Sequence, residues 1–192
     1  MEHDLHLPGP DVSLVPLGLR HAEALADLGD LEAYAWNTSP PPLDGPGARA
    51  SIEGLLRDPG MTALAVTDTA DDSLRGITSF YEHVPSVPRV EVGHTFYGRR
   101  FWGGHTNPAT KLLMLAHAFD VWECERVALR CDAGNERSAL AIARLGAHPE
   151  GVLRGHRRRW DGTVADTAYF SILRSEWHDV HRGLLARLEP VP

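Results

Sequence analysis

The chain is predicted to be an α/β (α+β) protein: a mixed, mostly antiparallel sheet flanked by helices. Three observations predict it. Short apolar runs with two-residue alternation fill 61–67, 74–82, 89–97, 151–160 and 163–173. Helical periodicity marks 19–28, 48–57, 111–122, 135–145 and 175–188. One buried strand, 126–131, sits between two of those helices. A strand flanked in that way joins its neighbour through a helical crossover, which puts a parallel pair in the middle of the sheet.

The elements follow in order. Residues 1–11 are polar and proline-containing and read as a flexible arm ahead of one domain, 12–188. Val12–Pro16 is a short strand. Leu19, Ala22, Leu25 and Ala26 share one face of the first helix. The stretch 36–47 holds Pro40-Pro41-Pro42 and Gly45-Pro46-Gly47, which is loop chemistry. Tyr34 and Trp36 lead into it, so it is a candidate lid over a substrate, or equally a surface insertion. The helix 48–57 is stopped by Asp58-Pro59-Gly60. Strands 61–67 and 74–82 flank a polar turn and form a hairpin. Pro85 and Pro88 break the chain before the strand 89–97. Leu112, Leu115, Ala116 and Phe119 give 111–122 its apolar face. Val127, Leu129 and Cys131 share a face of the next strand, and Gly146 stops the helix 135–145. Asp161-Gly162 between two alternating runs is a hairpin turn, and 175–188 closes the chain as a helix.

Bulk properties narrow the function. A length of 192 residues is one ordinary domain with a core of its own. No apolar run reaches membrane length, and the first residues carry no secretory signal. Cys124 and Cys131 form neither a disulfide framework nor a metal motif, which fits a reducing cytoplasm. The histidines lack spacing such as His-Glu-x-x-His, so no metal is expected. A net charge of −7 argues against a nucleic-acid binder and is compatible with a cationic amine substrate.

The densest functional signal is 101–111, Phe-Trp-Gly-Gly-His-Thr-Asn-Pro-Ala-Thr-Lys. A strand ends, two glycines follow, and a helix begins. Unpaired N–H groups and the positive end of the helix dipole at such a point favour a phosphate. A second signal follows the strand 126–131, where Asp132-Ala-Gly-Asn-Glu-Arg-Ser138 opens another helix.

Together these segments resemble the GNAT superfamily of acetyl-CoA-dependent N-acetyltransferases, in particular its RimJ/RimL-type branch. The carriers are Glu91-Val-Gly93, Phe101-Trp-Gly103, the helix from Lys111 to Phe119, Asn135-Glu-Arg-Ser138 with Leu145-Gly-Ala147, and Glu150-Gly-Val-Leu-Arg154. Tyr169-Phe-Ser171 and Glu176-Trp177 follow that branch's closing pattern. The resemblance implies a sheet splayed in a V between its fourth and fifth strands. Pantetheine would lie in the split, its amides added to the strand edge around Phe96 and Tyr97. The pyrophosphate would rest on Trp102, Gly103, Gly104, His105, Thr106 and Asn107, ahead of Lys111. The chain departs from the family's loop here: His105 replaces the central glycine and Asn107 the final small residue. Glycine serves where backbone takes φ > 0 or must approach a ligand.

The implied reaction is acetyl transfer from acetyl-CoA to a primary amine, a protein N-terminus or a small molecule, by direct attack in a ternary complex. The alternative is a non-catalytic acyl-CoA-binding module that kept the fold. A homodimer is family analogy. Ser138 is the candidate proton donor to the leaving thiolate, and Asn135 the candidate contact to pantetheine. The same two residues also fit helix capping, with Asn135 as N-cap. Glu91 is the candidate general base, on one strand face with Gly93 and Thr95 by period two, and His94 lies on the other face. Glu82, His83 and His94 are its rivals. Lys111, Arg99 and Arg100 could meet phosphates, His105 could donate to the pyrophosphate, and Thr106 and Thr110 could add hydroxyls. In the basic run 154–159, alternation puts Arg154, His156 and Arg158 on one face and Arg157 and Arg159 on the other. In the family this hairpin borders the acceptor, and a carboxylate-bearing acceptor would suit it. A solvated, charged edge strand explains it as well.

Overall fold

The computed structural model describes residues 3–189. Seven strands make one sheet: β1 Val12–Pro16, β2 Thr62–Asp68, β3 Leu74–Val84, β4 Arg89–Tyr97, β5 Arg126–Asp132, β6 His148–Arg158 and β7 Val164–Leu173. Their order is β1-β2-β3-β4-β5-β7-β6. Every neighbouring pair is antiparallel except β4 and β5, which are parallel and joined through a helix. The helices are α1 Ala22–Asp27, α2 Gly45–Arg57, α3 Thr106–Ala116, α4 Glu136–Ala143 and α5 Trp177–Ala186. None is long and apolar enough to cross a membrane.

Strand alternation sorts the apolar residues into two cores. Leu14, Leu64, Val66, Phe80, Val92, Val127, Leu129 and Ile172 meet α3, α4 and α5 on one side. Ala63, Ala65, Ile77 and Phe96 meet α1 and α2 on the other. That second core contains no residue of β5, β6 or β7. The sheet face carrying Arg130, Asp132 and Tyr169 is therefore left without a helical cover. The segment after α1 reaches across to it instead. Trp160 donates its backbone N–H to Asn37 O (3.0 Å) and its indole N–H to Tyr34 O (3.2 Å). The Arg159 guanidinium lies over the Trp36 ring, 4.5 Å from its centroid.

Several boundaries differ from the sequence expectation. The residues before β1 are tied down rather than standing off as an arm: Leu7 and Leu14 exchange both backbone hydrogen bonds, and His3 Nε2 donates to Ala63 O at 2.9 Å. Gly45-Pro46-Gly47 is the first turn of α2, not loop. Asp44 Oδ1 caps the Gly47 N–H at 2.6 Å, and proline is tolerated where its missing N–H would be unpaired anyway. The same reasoning lets α3 begin at Thr106, with Pro108 in its first turn, five residues before Lys111. α3 ends in a π turn, His117–Val121. β6 is irregular between Leu153 and Arg157, with Gly155 at φ 57°, so simple alternation fails along its basic run.

Candidate active site

β4 and β5 pair from Arg89/Arg126 to Val92/Leu129 and then part. A β-bulge drives them apart. Between the pairs Ser79–Gly93 and Ile77–Phe96, Thr78 of β3 faces two residues of β4, and His94 takes φ 47°. A bulge bends its strand and interrupts the ladder. It also breaks the period of two. Thr95 turns to the α3 side, away from Glu91 and Gly93, while His94 comes to the Glu91 side, edge-on to Tyr81 at 5.1 Å. Both placements reverse the sequence expectation.

Lys111 braces the bulge from below. Its Nζ donates to Thr95 Oγ1 at 2.8 Å and Thr78 Oγ1 at 3.3 Å, and the two hydroxyls bond each other at 2.9 Å. The side chain is buried, and burial pushes its pKa down to about 7. It therefore does not meet phosphate as expected: with α3 starting at Thr106, Lys111 falls in the second turn and faces the core.

The loop ahead of α3 keeps its free amides. The N–H groups of Gly103, Gly104, His105 and Thr106 donate to no backbone carbonyl among the described residues. The left-handed conformation falls on Gly103, at φ 75°, while His105 has φ −77° and ψ −18°. Any residue adopts that conformation, so the histidine costs the loop no strain. Its side chain is exposed. Trp102 anchors the loop. Its indole N–H donates to Tyr97 O at 2.9 Å, and its ring lies 3.5 Å from the Arg137 guanidinium and 5.2 Å from that of Arg99. Arg99 is itself held by Asp30 (3.0 Å) and Glu32 (2.7 Å). Trp36, Trp102, Asn135 and Arg137 help line a cleft of about 340 Å³ beside this loop. Thr106 turns inward, accepting from Arg75 at 3.2 Å, and Thr110 is buried, so neither hydroxyl faces a ligand. Asn107 is half-buried in the first turn of α3. Phe96 packs under α1 and α2 against Tyr34, and Tyr97 joins the α3 core. Both could offer a ligand only backbone.

At the other lip of the split, Asn135 Oδ1 accepts from Ser138 N at 3.0 Å, the N-cap geometry of α4. Ser138 is half-buried and meets Cys131. Burial raises the Cys131 thiol, and the hydrogen bond to Ser138 pulls the other way. Asp132, buried below, accepts both forks of Arg159 at 2.8 and 2.9 Å and the Gly134 N–H at 2.9 Å. Burial opposes its charge, but these donors prevail and lower its pKa.

The uncovered sheet face carries Glu91. Its Oε2 lies 3.4 Å from Arg130 Nε and accepts no hydrogen bond. The Arg130 guanidinium sits between the rings of Tyr81 (5.1 Å) and Tyr169 (5.6 Å) and donates to Tyr169 Oη at 2.6 Å. Gly93 makes room for Tyr81: a Cβ there would stand 2.8 Å from its hydroxyl. Glu82 and His83 lie elsewhere. Glu82 pairs with Arg89 at 3.5 Å, and His83 stacks on Trp122 at 4.3 Å.

The family model for the acetyltransferase (GNAT) domain matches residues 11–148, from the start of β1 through α4. The chain belongs to the GNAT acetyltransferase family. A crystal structure from T. thermophilus, described as an acetyltransferase, has 36% identity and a TM-score of 0.90, covering 98% of this chain and 100% of its own. The Bacillus subtilis (strain 168) protein named "Putative ribosomal N-acetyltransferase YdaF" is 30% identical over 107 residues, 56% of this chain and 57% of its own length. The chain thus matches little more than half of YdaF. Mycobacterium smegmatis RimJ, solved with CoA-disulfide, shares the fold at a TM-score of 0.75 and 20% identity, covering 91% of this chain and 88% of its own.

In this GNAT domain the structure brings the loop 103–107, Asn135 and Ser138 to the two lips of one split, with Glu91 on the open face beside it. It withdraws Lys111 and the side chains of Phe96 and Tyr97. Sequence reasoning missed Arg130, Tyr81, Tyr169 and the Asp132–Arg159 fork. One signal was available: an arginine inside a strand as apolar as Val127-Ala-Leu-Arg-Cys131 needs a partner.

Proposed function

We propose that the chain transfers an acetyl group from acetyl-CoA to a primary amine by direct attack in a ternary complex. One observation carries the reading: the parallel strands part just where free amides at 103–106 and the Ser138 hydroxyl face each other across the gap. The loop amides at the start of α3 receive the pyrophosphate. The unpaired β4 edge from Gly93 to Tyr97 receives the pantetheine amides, which aims the thioester toward Ser138. The amine enters over the open face of β4, β5 and β7. Its nitrogen attacks the acetyl carbon, backbone N–H groups at the bulge stabilise the oxyanion, and the C–S bond breaks. Ser138 protonates the departing thiolate and regains a proton from solvent. Glu91 takes the ammonium proton, directly or through water, because its Oε2 accepts no hydrogen bond whereas both oxygens of Asp132 are taken.

The test is Ser138→Ala with free CoA followed in a thiol assay over a panel of amines. Turnover is expected to fall by at least about tenfold, with acetyl-CoA affinity by calorimetry changed much less. Unchanged turnover would remove Ser138 from the chemistry. Acetyl-CoA binding without CoA release from any amine would favour the non-catalytic module.

A further inference from the structure

Arg157 is a half-buried cation without a carboxylate. The irregular stretch of β6 carries it out of strand alternation and turns it toward Asp132, Cys131 and Arg130. Asp132 is already forked by Arg159, and Glu91 is paired with Arg130. Arg157 makes no ion pair among the described residues. One terminal nitrogen donates to Trp36 O, which ties the crossing segment to the hairpin. Its Nε is buried and has no partner. Burial holds its pKa below the usual arginine value, Arg130 and Arg159 push the same way, and Asp132 pulls back. A buried donor left unmet is costly, and so is a desolvated charge without a counterion.

Its position says what could meet that need. Cys131 hydrogen-bonds Ser138 and also feels the charge of Arg157, so the guanidinium and the hydroxyl flank one side chain at the mouth of the split. His94, on the bulge, feels both Arg157 and Arg130. The whole chain carries a net charge of −7, yet this corner presents an uncompensated cation. We propose that Arg157 receives a carboxylate of the acceptor, so that the preferred substrates are amines with a carboxylate close to the reacting nitrogen. A planar guanidinium suits a carboxylate because two N–H groups can serve both oxygens. The inference rests on the acetyl-transfer reading and names the substrate class of that site.

Paired acceptors test it: a free α-amino acid against its carboxamide, and a peptide beginning with Asp against the one beginning with Asn. The first pair reports a free amino acid, the second a protein N-terminus. At least one carboxylate member is expected to exceed its neutral partner by tenfold or more in kcat/KM, an effect of about the size a charged hydrogen bond supplies. In Arg157→Gln that preference is expected to shrink to about twofold, through KM, with the acetyl-CoA Kd unchanged; Arg157→Lys restores part of it. Calorimetry of the same pairs on CoA-saturated protein reads the preference without turnover. Carboxylate binding that Arg157→Gln abolishes supports the proposal even if no CoA is released, a result that would count against acetyl transfer alone. Equal use and equal binding of both members of each pair overturn it. So does an Arg157→Gln variant that loses acetyl-CoA affinity while keeping its acceptor preference.

Discussion

Replacing Lys111 by methionine is expected to remove a pH dependence of stability above neutrality. The lysine is 4% exposed, and its ammonium finds only the hydroxyls of Thr95 and Thr78. Burial lowers its pKa from 10.5 to about 7. Between those two values the unfolded chain holds a proton that the native state has released. Raising the pH across that window therefore favours the native state, by up to about 1.4 kcal/mol per pH unit. Integrated for one such group, the gain is about 2 kcal/mol from pH 7 to pH 9. Below pH 7 both states are protonated, and the native state carries the full penalty of roughly 5 kcal/mol. Methionine fills similar space without a charge, and the Thr78–Thr95 hydrogen bond at 2.9 Å survives its introduction. Urea unfolding of both proteins at pH 7, 8 and 9 reads the effect. The variant is expected to lead at pH 7, and its lead to narrow by about 2 kcal/mol by pH 9. Parallel stability curves would refute the reasoning, because they would mean that Lys111 keeps the same proton in both states.

Three further outcomes are expected. Gly76→Ala places a Cβ 2.0 Å from Phe96 O and 2.9 Å from Tyr97 Cα, both backbone atoms of the neighbouring strand, so the variant should lose at least about 3 kcal/mol or fail to fold, read by thermal melting and soluble yield. Asn135→Ala removes the cap on Ser138 N and should cost about 1 kcal/mol, a drop of about 2–4 °C in Tm without acetyl-CoA, together with weaker acetyl-CoA binding by calorimetry. His105→Gly should not tighten acetyl-CoA binding, since His105 already has ordinary helical angles; a gain of about tenfold, or 1.4 kcal/mol, would show that the loop wants a glycine there.

The sequence by itself determined the element order, the parallel crossover, the free-amide loop and the cap at Asn135. Each is a local matter. Alternation, helical period, glycine and proline chemistry and capping spacing act within a few residues of the chain. Helix starts were misread where proline sits in a first turn, at Pro46 and Pro108, because Asp44 or the packing of α3 decides whether that turn forms. What only the tertiary structure decided lies where distant segments meet. The bulge at His94 is a mismatch between β3 and β4, and it sends Thr95 and His94 to faces opposite those a period of two assigns. Lys111 became a buried brace because α3 begins early and lays that position against Thr78 and Thr95, 33 and 16 residues away. Arg130 between two tyrosines, Asp132 in the fork of Arg159 and Arg157 without a counterion are likewise products of β3, β5, β6 and β7 coming together. Charge pairing depends on distance in space, and a single chain read in order does not contain that distance.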